Sequence, residues 1–307
     1  MTDYLGIDIG GTKIAGAVIT DQGFVKRRCD VPTPAQDGGP QVLATAIALA
    51  QTLGADARIE AVGIGAGGQI DPVLGVVLSA TDLLPGWAGV PLKSAFADAL
   101  NMPACADNDV NALAVGEARF GAARGLSAVV FLAIGTGLGG ALFIDGKLHH
   151  GAHGGGGEFG HLLVSMDTNA RRDNGGHVGT WEAYVSGPGL AQTYQEIAGR
   201  HAPALAGRDI AQAARGDPDG PAAQAVTRTG EYLGYGLASL ANALDPDLIV
   251  VGGGMAALGD ALLLPARDVL RLRVLPHAAQ CPVVAASLGT DANVIGAASL
   301  AMPSLVF

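Results

Sequence analysis

The chain has 307 residues, of which 49% are hydrophobic and 15% are charged, so it can bury a large core. This composition excludes an intrinsically disordered protein, and the length predicts two domains or lobes. A net charge of −10, without any run of Lys or Arg, argues against nucleic acid or an anionic membrane as a partner.

The cysteines and the N-terminal residues indicate the cellular compartment in which the protein is expected. Cys29, Cys105 and Cys281 lie far apart, and such a sparse, odd set predicts reduced thiols in a cytoplasmic protein. Asp3 and Asp8 interrupt the N-terminus where a signal peptide would have a basic region and an apolar core, so no signal peptide is expected.

The first half of the chain alternates strand-like and helix-like patterns. In chain order these predict strands over 4–9, 13–20 and 23–31, a helix over 40–53, a strand over 59–64, a short hairpin around Asp71-Pro72, a helix over 91–100, a strand over 103–106 and a helix to Phe120.

The second half begins near Gly121 and repeats the opening plan of strand, Gly/Thr turn and strand over 129–144. The uncharged stretch from Ser127 to Ile144 is long enough for a membrane span, but its glycines predict two strands joined by a turn over 135–140. Irregular structure is predicted over 146–180. Further predictions are helices over 181–199, 208–215, 219–244 and 258–273, strands over 248–251 and 283–287, and a last helix over 293–301.

This alternation predicts an α/β fold, and the repeated unit predicts two related lobes that face each other across a cleft. Two Gly-x-Gly-x-x-Gly patterns start at Gly63 and Gly135, but strand-like sequence follows each of them. A dinucleotide site needs a helix there, so that class is disfavoured.

Three glycine turns, at Gly10–Lys13, Gly135–Gly140 and Gly252–Gly254, together predict a nucleotide site, because such turns expose backbone N–H groups to phosphates. Asp8 ends the first strand and is a candidate to hold Mg²⁺ through water; the alternative is that Asp8 only pins the turn.

These motifs resemble those of the ROK family of bacterial sugar kinases and repressors. Asp8–Lys13 is similar to its first phosphate motif, Gly135–Gly140 to its second, and Val250–Gly254 to its adenosine motif. The remaining motifs follow in family order over essentially the full length: Pro85-Gly86-Trp87, Asn108-Asp109, Gly157-Glu158-Phe159-Gly160-His161, Glu182 with Ser186-Gly187, and the tail Ala292–Ala298.

The resemblance implies an actin-like ATPase (ribonuclease H-like) fold, with a small lobe over 1–120 that is completed by 291–307, and a large lobe over 121–290. It also implies a homodimer that transfers phosphate from ATP to a hexose, with glucose at its 6-hydroxyl as the first expectation. The alternatives are a kinase for N-acetylmannosamine or N-acetylglucosamine and a non-catalytic sugar-binding or regulatory protein. A repressor is disfavoured, because the residues before Asp8 leave no room for a helix-turn-helix. Polyphosphate stays open as a donor.

The resemblance also implies the roles of single residues. Asp109 would be the general base for the sugar hydroxyl. The local pattern allows another role, because Asn108 is a good N-cap and Asp109 suits a helix N-terminus. The implied sugar contacts are Gly67, Gly68, Asn108, Asp109, Glu158, His161 and Glu182. The implied ATP contacts are Asp8, Gly10, Gly11, Thr12, Lys13, Gly135, Thr136, Gly137, Gly253 and Gly254.

The sequence departs from the family in two places. Many members bind a structural zinc through three cysteines, whose positions are taken here by Asp173, Gly175 and Thr180, so no zinc is expected. A site built from the clustered histidines 149, 150, 153, 161 and 177 is the disfavoured alternative. The family also often has Asn four residues before Trp87, where this chain has Leu83, and the adjacent Asp82 is a candidate substitute.

Overall fold

The structure is a computed structural model that describes residues 2–80, 84–199 and 201–303. The expectation for Leu83 and Asp82 therefore lies outside the described residues. The described part of the chain forms two compact units, which comprise Met1–Leu126, Ile144–Gly156 and Ser287–Phe307 in the first, and Ser127–Phe143 and Gly157–Ala286 in the second.

The first unit is built on a mixed sheet of five strands, β1 (Asp3–Ile9), β2 (Lys13–Thr20), β3 (Val25–Pro32), β4 (Ile59–Ala66) and β7 (Ala104–Asn108), in the order β3-β2-β1-β4-β7. β1 pairs antiparallel with β2 and parallel with β4, which places the carboxyl ends of β1, β4 and β7 at the same edge. The short strands β5 (Gln69–Ile70) and β6 (Val77–Ser79) form a separate two-stranded sheet, and β10 (Lys147–Leu148) belongs to the second five-stranded sheet. The helices are α1 (Gly39–Gly54), α2 (Leu92–Leu100), α3 (Asp109–Phe120) and α8 (Ala292–Leu300).

Helix α8 returns from the C-terminal part of the chain and packs on the first sheet. Gly6 of β1 and Gly63 of β4 face it, and a Cβ added at either glycine would lie within 2.0 Å of a backbone oxygen of α8. Gly116 of α3 and Gly296 of α8 touch in the same way, since a Cβ on Gly116 would lie 2.8 Å from Gly296 Cα. These glycines allow the close packing that fixes α8 beside β1.

The second unit repeats the arrangement of an antiparallel hairpin beside parallel neighbours. Its strands are β8 (Val129–Ile134), β9 (Leu138–Ile144), β11 (Leu248–Gly252) and β12 (Val283–Ala285). β8 pairs antiparallel with β9 and parallel with β11, and β11 pairs parallel with β12. The helices are α4 (Gly187–Ala198), α5 (Gly207–Gly216), α6 (Pro221–Leu244) and α7 (Asp260–Arg273).

Each unit has its own apolar core. In the first, the side chains of β1, β2 and β4 pack with α1 around fully buried Trp87 and Phe96. In the second, α4, α6 and α7 pack on β8 and β11 around fully buried Trp181. The hydrophobic effect of these buried faces is the main stabilising term for both sheets.

The predicted α/β alternation and the hairpin within 127–144 are confirmed, and among the described residues no helix is both long and apolar enough to cross a membrane. The turn of that hairpin is shorter than predicted, because β9 begins at Leu138 and includes Gly140. Phe159 packs on Gly140, where a Cβ would lie 2.5 Å from its ring. Gly140 therefore allows Phe159 to pack closely on β9 and is not part of the turn.

The helix predicted over 181–199 begins later, at Gly187. Ser186 is its N-cap and accepts a hydrogen bond from Gly189 N, and Pro188 lies in the first turn, where proline suits a helix start. Residues 181–185 form a turn instead. Glu182 is therefore not a helix-start residue, contrary to the sequence prediction.

Residues 144–156 belong to the first unit, although the sequence pattern groups them with the second half of the chain. His150 Nε2 lies 2.6 Å from Asp107 Oδ2, and Gln69 donates a hydrogen bond of 3.2 Å to the carbonyl of His153. These long-range contacts hold the loop on β5 and β7. The predicted lobes, 1–120 with 291–307 and 121–290, stay a prediction.

Candidate active site

The end of β1 carries the first group of candidate residues. Asp8 is half-buried there, and its Oδ2 accepts a hydrogen bond of 3.0 Å from Asn293 Nδ2. Burial, reinforced by the negative charge of Asp109, raises the pKa of Asp8 to about 6. A carboxylate that is costly to ionise is stabilised by a nearby cation, so Asp8 suits a divalent ion such as Mg²⁺.

The turn after Asp8 is held by hydrogen bonds within the first unit. Gly10 N donates to the carbonyl of Lys13 over 3.0 Å, and Thr33 donates from its hydroxyl to the carbonyl of Gly10 over 2.6 Å. Residues Gly11, Thr12 and Lys13 are exposed, which leaves this turn accessible. The Lys13 ammonium pairs with Asp30 at 2.9 Å in a solvent-exposed ion pair, which is a weak contact that a phosphate can replace.

Asn108 and Asp109 lie where β7 passes into α3. Asn108 is the N-cap, because its Oδ1 accepts from Val110 N at 2.8 Å and Asn111 N at 3.4 Å. Its Nδ2 donates to the carbonyl of Gly68 over 3.0 Å. The alternative interpretation of Asn108 as a helix N-cap is thus confirmed. Its side-chain amide also holds the glycine loop at Gly67-Gly68 in place.

Asp109 occupies the first position of α3. Burial raises the pKa of its carboxyl, although the N–H of Val110 donates to Oδ1 over 2.9 Å and acts in the opposite direction. A carboxylate with a raised pKa is a stronger base than an exposed one, so this position suits proton abstraction.

The glycine loop of the first unit is supported from two sides. The carbonyl of Gly67 accepts a hydrogen bond of 3.1 Å from Trp87 Nε1, and that of Gly68 accepts the one from Asn108. Gly68 has φ +102°, a conformation that favours glycine. Trp87 therefore positions the loop in addition to filling the core.

The second unit carries its own turn between β8 and β9. Gly135 N donates to the carbonyl of Gly137 over 2.8 Å, which closes the turn around Thr136. Asn174 donates from Nδ2 to the carbonyl of Thr136 over 2.8 Å. The sequence pattern gave no role to Asn174, since it lies in the stretch predicted to be irregular.

Glu182 supports this turn directly. Its Oε2 accepts a hydrogen bond of 2.9 Å from Leu138 N, and its Oε1 accepts from Asn174 N and Nδ2, both at 3.3 Å. A Cβ on Gly137 would lie 2.5 Å from Glu182 Oε2, so glycine at 137 makes room for the carboxylate. Glu158, in contrast, is exposed, and no side-chain hydrogen bond is recorded for it among the described residues.

Asp173 is the centre of the loop that follows His161. Its buried carboxylate accepts hydrogen bonds from Gly175 N and His177 N, both at 2.9 Å, and from the Thr180 hydroxyl at 2.9 Å. Burial acts to raise the pKa of Asp173, but the hydrogen bonds from Thr180 and His177 outweigh it and hold the pKa below its usual value.

Two histidines flank this carboxylate. His161 Nδ1 lies 3.6 Å from Asp173 Oδ2, and His177 Nδ1 lies 3.3 Å from Oδ1. Within the described residues, these three side chains form the group whose ligand atoms lie close enough to hold a metal. The carboxylate is already engaged by N–H and O–H donors, so it serves as a hydrogen-bond hub for the loop.

A cavity of about 800 Å³ opens in the second unit beside the Gly135–Gly137 turn. Gly253, with φ +82°, allows β11 to turn away beside Ile134, and Gly254 then borders the cavity. Helix α5 forms another wall, and its contribution was absent from the sequence predictions. The residues that line the cavity include Gly135, Thr136, Gly187, Arg208, Arg215 and Gly254.

The structure thus places the predicted residues in two groups. The first unit brings together Asp8, the turn 10–13, the loop 67–68 and Asn108-Asp109. The second unit brings together the turn 135–137, Glu182, His161 and the Gly253-Gly254 turn. Asn293 and Thr33 were missed as partners, because their role depends on contacts with distant segments.

Comparison with known proteins identifies the family to which the chain is similar. The family model described as ROK family matches residues 4–303. The chain is 34% identical over 310 residues to a glucokinase of Halalkalibacterium halodurans, covering 95% of this chain and 93% of that protein. It is 33% identical over 310 residues to an N-acetyl-D-glucosamine kinase of Citrobacter koseri, covering 97% and 98%.

Among solved structures, a ROK family glucokinase from Streptomyces griseus in complex with glucose and AMPPNP superposes with a TM-score of 0.84. The two chains are 34% identical, and the match covers 97% of this chain and 98% of that one.

Proposed function

The chain belongs to the ROK family and has its actin-like ATPase fold, and from this premise we propose that it is an ATP-dependent hexose kinase that phosphorylates glucose at the 6-hydroxyl. The observation that carries the proposal is Asp109, a carboxylate with a raised pKa at the start of α3. The glucokinase relative and the glucokinase structure with glucose and AMPPNP support the choice of sugar and donor.

Asp109 is the proposed general base. A sugar hydroxyl is a poor nucleophile, and a carboxylate within hydrogen-bond reach takes its proton while the oxygen attacks the γ-phosphorus. The bond from the γ-phosphorus to the bridging oxygen breaks, and ADP leaves with the electron pair. Proton transfer of this kind contributes roughly 10²- to 10⁴-fold to the rate.

The glycine turns are the proposed phosphate contacts. The residues in question are Gly10, Gly11, Thr12 and Lys13 of the first unit and Gly135, Thr136 and Gly137 of the second, with Gly253 and Gly254 at the adenosine. Asp8 would hold Mg²⁺ through water, and this ion supplies charge neutralisation at the phosphates when it is bound.

The proposed sugar contacts are Gly67, Gly68, Asn108, Asp109, Glu158, His161 and Glu182. Glu158 has the exposed carboxylate that such a contact requires. His161 Nδ1 lies 3.6 Å from Asp173 Oδ2, and its exposed imidazole offers a ring nitrogen for a sugar hydroxyl. The hydrogen bonds of Glu182 lead to the turn 135–138, so we assign it the additional role of positioning that turn.

We propose that the loop after His161 is organised without zinc. The hydrogen bonds to the Asp173 carboxylate take over the structural role that a metal would have. The three positions that hold zinc-binding cysteines in many family members carry Asp173, Gly175 and Thr180 in this chain, so no thiolate ligand is present there. Elemental analysis of the purified protein tests this point, and one zinc per chain would contradict it. The homodimer implied by the resemblance and the cytoplasmic location expected from the cysteines stay predictions.

A coupled assay for ADP release tests the proposed function. Purified enzyme with ATP and Mg²⁺ is given glucose, mannose, N-acetylglucosamine and N-acetylmannosamine in turn. We expect the largest kcat/KM with glucose, and a product phosphorylated at the 6-position by NMR. If none of these sugars is turned over above the rate of ATP hydrolysis, the kinase proposal is wrong.

The second candidate function is an N-acetylhexosamine kinase. It is favoured by the relative from Citrobacter koseri, which covers the chain as completely as the glucokinase does. A kcat/KM for N-acetylglucosamine or N-acetylmannosamine above that for glucose would select it.

A further inference from the structure

The wall that α5 forms on the cavity of the second unit carries two arginines. Arg208 and Arg215 are seven positions apart and line the cavity together with Ala211 and Gln212, a spacing that places them on one face of the helix. Ile210 points the other way and is fully buried in the core. The orientation of this cationic face is therefore fixed by the packing of α5.

The start of α5 lies at the phosphate-turn end of the cavity. A Cβ on Gly207 would lie 3.6 Å from Gly187 Cα, and Gly187 N donates to the carbonyl of Gly135 over 2.8 Å. Gly207 immediately precedes Arg208. The chain of contacts from α5 to Gly135 thus places Arg208 near the turn that contains Thr136.

The end of α5 lies at the opposite side. Arg215 Nη2 donates a hydrogen bond of 3.2 Å to the carbonyl of Ala257, in the short helix Gly254–Leu258 that follows β11. This contact holds α5 against the short helix Gly254–Leu258, which forms the neighbouring wall of the cavity. The cavity therefore has Arg208 beside the Gly135–Gly137 turn and Arg215 beside the short helix Gly254–Leu258.

The charge of Arg208 has no counterpart in the described part of the chain, since no ion pair or side-chain hydrogen bond is recorded for it there. In a protein with a net charge of −10, an unpaired guanidinium on a cavity wall favours an anionic ligand. Guanidinium groups bind phosphate oxygens through two parallel hydrogen bonds.

We propose that Arg208 binds the phosphates of the nucleotide donor and that Arg215 is a positioning residue for the nucleoside end of the same cavity. This inference rests on the proposed function for the identity of the donor. It deepens that function, because it selects a nucleoside triphosphate over polyphosphate, which has no part that would fill the end of the cavity beside Arg215.

The test uses the full-length enzyme and binding of AMPPNP with Mg²⁺, without sugar, by isothermal titration calorimetry. For Arg208→Gln we expect the Kd of AMPPNP to rise about 10- to 100-fold, because a charge-assisted contact is lost. The Kd of adenosine, measured in the same way, should stay within about twofold of the wild-type value, because adenosine has no phosphate. Arg208→Lys, which keeps the charge, should recover part of the AMPPNP affinity.

For Arg215→Gln we expect AMPPNP and adenosine to weaken together, since the wall at the nucleoside end is loosened. The matched control is Arg228→Gln, which removes an exposed arginine of α6 that pairs with Glu231 at 2.9 Å. This control should bind both ligands as the wild type does. Thermal unfolding of each variant identifies any loss of folding.

The outcomes separate this inference from the proposed function. Unchanged AMPPNP affinity in Arg208→Gln overturns the inference even if glucose is phosphorylated. A wild type that uses polyphosphate and does not bind AMPPNP also overturns it. If no sugar is turned over but AMPPNP binds and Arg208→Gln weakens it alone, the inference stands and the proposed function falls.

Discussion

Asn293 donates a hydrogen bond of 3.0 Å to Asp8, and so joins the returning helix α8 to the end of strand β1. The contact acts against the burial that raises the pKa of Asp8 to about 6, because it stabilises the ionised carboxylate. Asn293, which lies 285 residues further along the chain, thus favours the ionised form of Asp8.

Removing this amide tests its effect on the ionisation of Asp8. In Asn293→Ala we expect the pKa of Asp8 to rise further, so the acid limb of the kcat/KM profile moves to higher pH by about one unit. The activity present at pH 8 should be largely retained. The control is Thr290→Ala, an exposed position just before α8, whose profile should match the wild type. An unmoved acid limb in Asn293→Ala contradicts the assignment.

Asp109→Asn tests the general base. The amide keeps the size of the side chain but cannot take a proton, so we expect kcat to fall by about 10²- to 10⁴-fold. The Kd of AMPPNP should change little. Asp98→Asn on α2 changes an exposed carboxylate outside the site and should leave kcat unchanged. If Asp109→Asn keeps a kcat close to that of the wild type, Asp109 is not the general base, although the protein would still be a kinase.

Asp173→Ala tests the hydrogen-bond hub of the loop after His161. The N–H groups of Gly175 and His177 and the hydroxyl of Thr180 lose a shared acceptor, and leaving the buried Thr180 hydroxyl unpaired costs about 1–3 kcal/mol. We expect faster amide exchange at 175 and 177 and a higher KM for glucose. Asp167→Ala in the same loop is the exposed control. Equal amide protection in both variants would show that the carboxylate does not hold the loop.

The contact of His150 with Asp107 predicts a stability that depends on pH. The hydrogen bond that His150 donates to the Asp107 carboxylate raises the pKa of His150 above 6.5 in the folded protein. A raised histidine pKa stabilises the fold fully below pH 6.5, and this contribution is lost as the pH rises through the folded-state value.

The measurement is the free energy of unfolding of His150→Gln against the wild type at several pH values. We expect the variant to be less stable by about 1–2 kcal/mol at pH 6, with a smaller difference at pH 9. His149→Gln changes the exposed neighbouring histidine and should show no such trend. A difference that grows with pH would reverse the sign and refute the pairing.

Local sequence patterns were enough for most elements of the fold. The strands of both hairpins, the long helix α6 and the N-cap at Asn108 follow from hydrophobic periodicity and capping chemistry, which act over a few residues. The start of α4 was misplaced by six residues. The Ser186 cap and Pro188 were visible in the sequence, but the apolar pattern from Trp181 onward suggested an earlier start.

The role of Glu182 could not be predicted from local sequence patterns. As a supposed helix-start residue it was assigned to the sugar alone, whereas its carboxylate also holds Leu138 N, 44 residues away along the chain. Gly140 was assigned to a turn and lies in a strand under Phe159. Both differences arise because packing between segments decides which groups meet.

By itself, the sequence determined the α/β class and the paired strand–turn–strand units, because glycine turns and alternating apolar residues are local properties. The reaction class was implied by the resemblance of its motifs to those of the ROK family. Only the tertiary structure decided the partners of the charged groups. Asp8 meets Asn293 across 285 residues, and Asp107 meets His150 across 43. Such partners have no periodic signal in the sequence, since they are brought together by the packing of α8 and of the loop 144–156 on the first sheet.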